Sequence, residues 1–559
     1  MAGTVSEREQ SIRRRVEEER SRRLGEAGLL DRPEHFRRPV ERPFTADQRP
    51  HTTILISGLT VKHEEFVLGC LEGFGYLAER LAVPDVRSFE LGKEYGNSGQ
   101  CNPTYFTVGN LVKHLQGLRE QGKPKERILN DYVYLTAGGC GPCRFGMYES
   151  EYRLALRNSG FDGFRVLLFS QTGGLEQAQV EAGLKMDLDF FLTLVSSLAI
   201  GDLLNEVGYQ IRPYEVEAGA TDRALEQCTK IVRAALSDRS FAWDRKPAMR
   251  ALRRVPLLGS AAEKAGRFLQ YLFTRHFTEA LDECRKLLAA VEVDRLRVKP
   301  VVKVTGEFWA QTTEGDGNYR MFHFLEGEGA EVLVEPILTW LCYLVWQVKQ
   351  KEKHRFGSKG SRNPFTHAYR VGRIALAERL LGRMYDRLRG ALGGTTHKLV
   401  NQLHLQRLGH PFYNTNAEGG EGHLEVAKNI YYSNKDLAHM VLSLKPFGCM
   451  PSTQSDGAQA AVVGKFPDMV YLPVETSGEG EINAHSRAQM ALGEARKKCK
   501  GEYARALADA KRSEAELRAY VDAHPELRSG LYHVPEDPRY AGTAARFVAH
   551  VAKRMGDGR

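Results

Sequence analysis

Three short segments of this chain carry cysteines in surroundings that suit the binding of a metal group. The cysteines lie in the strings QCNP, GCGPCRFG and FGCMP, and they are Cys101, Cys140, Cys143 and Cys449. Glycine lets the backbone approach a bulky group closely, and proline stiffens a turn. Thiols held in such turns are better placed to bind an iron-sulfur cluster than thiols packed in a core.

The pair Cys140-Gly-Pro-Cys143 allows two other interpretations. Taken alone it is typical of a thioredoxin redox motif, but Gly139 stands where a thioredoxin has Trp. No proline occurs from Arg144 to Arg212, so the proline loop that faces such a disulfide is missing. A zinc site usually takes two cysteine pairs, or one pair with nearby histidines, whereas this chain has one Cys-x-x-Cys motif. The spacing therefore favours a cluster and leaves disulfide exchange and zinc open.

The predicted secondary structure explains how these cysteine turns could lie close together in the fold. Each of Cys101, Cys143 and Cys449 borders a predicted element: the helices 104–115 and 144–158 and the strand 440–444. Helix amino termini stabilise thiolates, and parallel strands end on one shared edge. Cys140 is either a fourth ligand or a neighbour. Four thiolates would close the cluster, whereas three would leave one iron open to substrate.

The apolar pattern predicts an α/β fold with two Rossmann-like or flavodoxin-like parallel-sheet units, large helical insertions and the cluster in the cleft between the units. Predicted strands lie at 53–57, 132–136, 165–170, 301–305, 331–335, 440–444 and 469–474. The expected domains are a charged helical arm (1–50), a first α/β domain (51–175), a helical section (176–298), a second α/β domain (299–483) and a charged helical tail (484–559).

Size and composition narrow the class of protein. The 559 residues are 42% apolar and 27% charged, as in soluble proteins, and roughly three or four domains are expected. Apolar stretches at 190–204 and 337–348 are short enough to be buried core helices. No signal sequence is recognised, and nine cysteines do not suggest a disulfide framework, so we expect a cytoplasmic protein. The net charge of +9 comes from interspersed residues, which makes nucleic-acid binding unlikely.

Polar residues near these turns are candidates for chemistry or for cofactor binding. The loop 413–423 offers backbone amides, especially at Gly419 and Gly420, to a cluster's sulfides or to a phosphate, although a plain surface loop is the alternative. Glu418, Glu421 and His423 are candidates for proton transfer, because a desolvated Glu and a His titrate near neutrality.

Three further candidates follow predicted strands or adjoin a cysteine. Glu307 follows a strand and is either a residue of the cleft or a helix-capping carboxylate. Gln171 follows another strand on the edge expected for Cys143. Arg144 could bind a carboxylate or a phosphate, or form a structural ion pair.

Five strings together resemble a known family: GKEYGNSGQCNP, GGCGPCRFGMYESEYRLAL, FSQTGG, HPFYNTNAEGGEGHLEVAK and KPFGCMPS. They are similar to the cluster-carrying component of 2-hydroxyacyl-CoA dehydratases and benzoyl-CoA reductases, and most of all to acyl-CoA dehydratase activase-related proteins. The resemblance runs from about His51 to Lys500. It implies a 4Fe-4S cluster that accepts electrons at low potential, and an acyl-CoA-type substrate.

The same resemblance implies a partner: an ATP-hydrolysing activase with its own iron-sulfur cluster. This chain has no Gly-x-x-x-x-Gly-Lys-Ser/Thr loop, so ATP chemistry is expected from that partner. The segment 6–23 is a candidate for docking it, or a solvated helix. A homodimer, or a heterodimer with a related subunit, is expected. Some relatives carry a further cysteine where this chain has Gly96, which argues against a double cubane. A double-cubane-like reductase, a pure electron relay and a metal-containing scaffold remain alternatives.

Overall fold

The computed structural model describes residues 7–27, 41–139, 143–170, 183–241, 259–358, 363–417, 420–434 and 437–557. Four predicted site residues lie outside these ranges: Cys140, Gln171, Glu418 and Gly419. The chain divides into two compact units, residues 1–42 and 43–559. The first contains helix α1 (Glu7–Glu26), in which Glu19 accepts hydrogen bonds from Arg22 and Arg23 at 2.8 Å each.

Two four-stranded parallel sheets form the framework of the second unit. The first has the order β2-β1-β3-β4, with β1 Thr53–Ile56, β2 Leu77–Arg80, β3 Tyr132–Gly138 and β4 Val166–Ser170. The second has the order β6-β5-β7-β8, with β5 Val301–Gly306, β6 Glu331–Leu333, β7 Met440–Pro446 and β8 Tyr471–Thr476. The predicted α/β fold with two parallel-sheet units is confirmed, and both sheets share one strand order. The predicted domain boundaries stay a prediction.

Helices cover both sheets and form the insertions. Those of the first half and the insertion that follows it are α2 Val61–Gly73, α3 Val86–Tyr95, α4 Asn102–Glu120, α5 Lys125–Asp131, α6 Tyr148–Asn158, α7 Leu188–Ile211, α8 Ala220–Ser237, α9 Gly259–Phe273 and α10 His276–Ala289. Those of the second half are α11 Phe308–Thr312, α12 Met321–Gly327, α13 Ile337–His354, α14 Pro364–Ala391, α15 Gln402–Gly409, α16 Gly422–Asn434, α17 Met450–Lys465, α18 Glu481–Ala510, α19 Glu514–Ala523 and α20 Thr543–Asp557.

The central strands of the second sheet are buried along their whole length. Every residue of β5 and of β7 is buried, including a lysine in each strand. Lys303 in β5 pairs with Glu335 at 2.8 Å, and Lys445 in β7 lies 3.6 Å from Glu425. A near-continuous apolar run is the pattern of a strand covered on both faces, which is why the sequence predicted these strands. The paired carboxylates allow the two lysines to be buried.

Strand β2 was not predicted. Its four residues, LAER, alternate between exposed and half-buried positions, and the strand lies at the edge of the first sheet. A short edge strand needs little apolar surface, so its sequence lacks the usual signal. Its pairing with β1, from Thr53 opposite Leu77 to Ile56 opposite Arg80, is a property of the assembled sheet.

A long apolar helix packs inside the insertion. The stretch Leu188–Tyr214, which contains α7, is long and apolar enough to cross a membrane, but 67% of its most apolar part is buried within the protein. Residues of this helix, among them Leu203 and Val207, pack with residues of α8 and α10 in one apolar core. The core helix of a soluble protein has the same properties.

Helices α3 and α4 approach each other unusually closely. A Cβ atom added to Gly109 of α4 would lie 1.8 Å from the carbonyl oxygen of Ser88 in α3. One added to Gly92 of α3 would lie 1.9 Å from the carbonyl oxygen of Tyr105. Only glycine fits at either position, and the contact fixes the helix that begins immediately after Cys101.

We expect Gly109→Ala to lower the free energy of unfolding by about 3 kcal/mol, because the new methyl group must push the α3 backbone away. Gly117→Ala is the matched control on the same helix, since nothing lies within 4 Å of its added Cβ. It should raise stability by up to about 1 kcal/mol. Urea unfolding followed by circular dichroism measures both variants. Equal effects of the two changes would contradict this account of the helix contact.

Candidate functional site

The candidate site lies where the carboxyl ends of the two sheets face each other. Cys101 directly precedes α4, and Cys449 directly precedes α17. Cys143 directly precedes a single turn of 3-10 helix, Arg144–Met147. None of the three helix starts receives a hydrogen bond from a capping side chain. Each thiol therefore belongs to a helix amino terminus, where negative charge is stabilised.

The two halves place these helix starts in matching positions. Cys143 follows β3, the third strand of its half, and Cys449 follows β7, the third strand of the other half. Both strands lie beside the first strand of their sheet, at the point where the strand order reverses. Ligand sites of open parallel sheets form outside the carboxyl ends of strands at this reversal.

Backbone contacts hold the Cys101 turn against the Cys449 turn. The amide of Asn102 donates a hydrogen bond of 2.9 Å to the carbonyl oxygen of Phe447. Gly448 has a φ of +76°, and a Cβ atom added there would lie 3.2 Å from the Cα atom of Cys101. Cys143 is close enough for a charge on Cys101 to raise its pKa. The structure thus brings together three of the four predicted ligands, and the fourth, Cys140, lies outside the described residues.

The three thiols lie in surroundings that disfavour the thiolate. Cys101 Sγ lies 3.0 Å from Thr104 Oγ1 and 3.4 Å from Tyr148 Oη. Burial raises the pKa of the thiols of Cys101 and Cys449, and it raises the pKa of Cys143 to about 12. Without a cation the thiols therefore keep their protons at neutral pH. A metal bound here would have to displace these protons.

Two carboxyls lie near the thiols: Glu421, which is buried, and Glu307, which is half-buried. Glu307 precedes α11, and its Oε2 accepts a hydrogen bond of 2.9 Å from the amide of Ala310, so it is a helix-capping carboxylate. Glu421 Oε1 accepts a hydrogen bond of 2.8 Å from the amide of Phe308. Each of the two carboxyls therefore binds the start of α11.

The same pair has strongly shifted pKa values. Burial, with the nearby charge of Glu421, raises the pKa of Glu307 to about 8. Burial, with the nearby charge of Glu425, raises the pKa of Glu421 to about 7. Both carboxyls also raise the pKa of Cys143 and of Cys449. Two carboxyls that hold protons near neutrality, next to three thiols, could serve as proton donors or acceptors.

His423 lies deeper in the protein than the two carboxyls. Its ring packs against Tyr343 at 5.0 Å and against Trp346 at 5.1 Å between centroids. Burial lowers the pKa of His423 to about 4, so the ring is neutral at physiological pH. Within the described part of the chain, neither ring nitrogen has a hydrogen-bond partner.

Gly420 and Arg144 each brace one of the cysteine turns. Gly420 has a φ of +117°, and an added Cβ atom would lie 2.2 Å from the ring of Pro451, two residues after Cys449. Arg144 donates a hydrogen bond from Nη1 to the carbonyl oxygen of Gly99, which ties the Cys143 turn to the Cys101 turn.

Sequence reasoning missed a buried charge cluster beneath the site. Glu425 Oε1 accepts a hydrogen bond of 2.8 Å from Ser452, and Lys445 Nζ lies 3.6 Å from Glu425 and 3.1 Å from Ser455 Oγ. Both serines belong to α17, the helix that starts after Cys449. The signal in the sequence was Lys445, a charged residue within the apolar strand MVLSLKP. Such a lysine needs a buried partner, but the pattern did not identify Glu425.

A buried asparagine beside Cys101 bears on what the turns could hold. Within the described ranges, no three side chains of His, Cys, Asp or Glu stand close enough together to hold one ion. A cubane separates its ligands further, because each thiolate binds a different iron. The side chain of Asn102, next to Cys101, is 2% exposed, and neither its oxygen nor its nitrogen has a partner among the described residues. A group bound between the turns would satisfy these atoms.

The other five cysteines lie away from these turns, and all of them are buried: Cys70, Cys228, Cys284, Cys342 and Cys499. Cys228 and Cys284 contact each other's carbonyl oxygens at 3.8 Å within the helical core. Cys499 donates to the carbonyl oxygen of Lys299 at 3.2 Å. These positions are those expected of structural thiols.

Neither the known protein-family models nor the curated proteins include a match to this chain.

The shifted carboxyls should make the stability of the metal-free protein depend on pH. Glu307 and Glu421 keep their protons up to pH values of about 8 and about 7 in the folded state, but release them near 4.5 when unfolded. The folded state therefore binds more protons between these values, and the free energy of unfolding should fall as pH rises. The double variant Glu307→Gln/Glu421→Gln should show a smaller fall between pH 5 and pH 8 in urea unfolding. Identical pH dependence in both proteins would refute the shifted pKa values.

The raised thiol pKa values should slow alkylation of the metal-free protein. Cys143 is half-buried, and its pKa of about 12 leaves little thiolate at pH 8. Iodoacetamide should label it at least about a hundredfold more slowly in the folded protein than in urea, where an ordinary thiol has a pKa of about 8.5. Peptide mapping by mass spectrometry gives the rate for each cysteine. Labelling at similar rates in both states would contradict the prediction.

Proposed function

We propose that this chain is an iron-sulfur protein whose 4Fe-4S cluster is held by Cys101, Cys143 and Cys449. One observation carries the proposal: three thiols from turns remote in sequence lie together, each at the start of a helix. Cys140 is the remaining candidate for a fourth ligand. Low-potential electrons would come from an ATP-hydrolysing activase with its own cluster, as in the family that the sequence resembles.

Cluster binding accounts for features that a thiol oxidoreductase leaves unexplained. A catalytic dithiol needs a nucleophilic, exposed thiolate, but burial raises the pKa of Cys143 to about 12. The Cys101 and Cys449 turns would also have no role in an exchange reaction at Cys143. Iron would supply the positive charge, and the helix amino termini would stabilise what negative charge remains.

A cluster bound here would supply single electrons at low potential. The protein's own residues would donate or accept the proton. Glu307 and Glu421 keep a proton near neutral pH and lie beside the thiols, so they are our candidates for the acid and base of a reductive or radical reaction on an acyl-CoA-type substrate. A pure electron relay would need no such pair, which favours chemistry at this site over relay alone.

The partners and location follow from the same proposal. A dimer with a second copy or with a related subunit, and a cytoplasmic, anaerobic setting, would suit an enzyme of this kind. Gly420 and the amides near the start of α16 would contact the cluster or a phosphate of the substrate. Arg144 would act through the Cys101 turn, since it donates to the carbonyl oxygen of Gly99.

Anaerobic reconstitution tests the cluster directly. Purified protein incubated with iron and sulfide should retain about four iron and four sulfide per chain, and should show an electron paramagnetic resonance signal after reduction. Cys449→Ala should lose most of the bound iron, because one of three remote ligands is removed. Cys342→Ala, a buried cysteine of α13, is the matched control and should keep it. Protein that retains only zinc, or no metal, would refute the proposal.

The role of the carboxyls is tested separately from cluster binding. Glu307→Gln should retain iron and sulfide but lose activity with the activase and an acyl-CoA substrate by about a hundredfold or more. Thiol-disulfide exchange activity that survives Cys449→Ala would instead support the redox-motif alternative. A chain that binds a cluster but is inactive on thioesters, and passes its electron to a separate acceptor, would be a relay.

A further inference from the structure

A cavity of about 620 Å³ opens at the edge of the second sheet opposite the cysteines. Its floor is formed by the residues that precede two strands, Ala438 and His439 before β7 and Met469 and Val470 before β8. The Cys449 turn follows the other end of β7. The volume lies within the range of small-molecule sites, roughly 300–1,000 Å³. Because it lies at the opposite end of β7 from Cys449, the cavity is separate from the site described above.

One wall of the cavity is a basic face of α18. Lys497, Lys498 and Arg505 line it, and Gly501 leaves the space between them open, because nothing lies within 4 Å of its added Cβ atom. Positions 497, 501 and 505 are spaced by four residues and so lie on one side of the helix. The opposite wall adds Lys465 at the end of α17.

The acidic residues of the cavity do not cancel these charges. Two carboxylates line it, Glu502 and Asp468, against four cations. Both oxygens of Glu502 are occupied, because they accept hydrogen bonds of 2.9 and 2.7 Å from the amides of Ala541 and Gly542 at the start of α20. Lys497 forms an ion pair with Glu494 at 2.7 Å, in which both side chains are exposed, and Lys498 donates a hydrogen bond to the carbonyl oxygen of Asp468. Such surface pairs contribute little and can yield to a ligand.

A buried histidine, His439, lines the cavity beside Glu502. His439 is 6% exposed, and its Nδ1 accepts a hydrogen bond of 2.9 Å from the amide of Val301. The proton of the neutral ring is therefore on Nε2. That nitrogen lies 3.5 Å from Glu502 Oε2 but forms no hydrogen bond with any described residue.

Apart from Ser433, the rest of the lining is apolar. Phe466, Pro467, Met469 and Val470 come from the loop between α17 and β8. A site with cations along one wall and an apolar loop along another suits a ligand with a phosphate group joined to a flat or apolar group. Lysine and arginine would bind the phosphates, and the loop would cover the apolar part.

We propose that this cavity binds a phosphate-bearing small molecule of the nucleoside diphosphate class. The proposal does not depend on the cluster, because the cavity and the Cys449 turn lie at opposite ends of β7 and ATP hydrolysis is not required. The site would bind this ligand without reacting with it. Because the cavity adjoins the start of β7, the strand that precedes Cys449, a bound ligand would stabilise the second sheet.

Isothermal titration calorimetry of the full chain at low salt, with ADP, pyrophosphate and adenosine as probes, tests the proposal. ADP should bind most tightly, pyrophosphate more weakly, and adenosine not measurably. The affinity for ADP should fall with added salt, because the cations are exposed. Failure of the wild-type protein to bind either phosphate compound would overturn the proposal, whatever the outcome of the cluster experiments.

The double variant Lys497→Ala/Arg505→Ala should weaken ADP binding at least about tenfold, since two charge-assisted contacts are lost. Lys500→Ala/Lys553→Ala is the matched control, because it removes the same charge from exposed positions on α18 and α20 outside the cavity. It should leave the affinity within about twofold of wild type. Equal weakening in both variants would show general attraction of anions and would overturn the proposal. Circular dichroism confirms that both variants fold.

Discussion

The contact between the Cys101 turn and the Cys449 turn is the constraint on which the candidate site depends. The amide of Asn102 donates to the carbonyl oxygen of Phe447, and Gly448 allows the two backbones to meet. Each sheet by itself could place only part of the thiol set at its carboxyl edge. Because the contact joins the start of α4 to the end of β7, the geometry of the thiols is tied to the packing of the two halves.

The same strand order in the two sheets places corresponding residues of the two halves around the site. In each half a cysteine follows the third strand, next to which the strand order reverses. Each of these cysteines also directly precedes a helical segment. The matching helix starts before those strands carry Cys101 in one half and Glu421 in the other. The halves thus contribute different chemistry at corresponding places: two thiols from the first, and one thiol with protonated carboxyls from the second.

Burial then determines the protonation state of the thiols and carboxyls of the site. Burial raises the pKa of the thiols and of the two carboxyls, and the charges of the carboxyls raise the pKa of Cys143 further, so protonation is favoured in the metal-free site. A bound cation would instead favour the deprotonated thiols and carboxyls. Elsewhere in the second half, Lys445 pairs with Glu425 beneath the site, and exposed cations line the opposite cavity.

The sequence alone determined the parallel-sheet fold, the strands of the two cores and the placement of cysteines in turns. It did so because buried strands and Gly/Pro turns have strong local signals. Tertiary structure alone decided the rest. The edge strand β2, the pairing of Glu307 with Glu421, the partner of Lys445 and the basic cavity all depend on residues far apart in the chain. No local pattern encodes those distances, since they arise only when the sheets and helices pack.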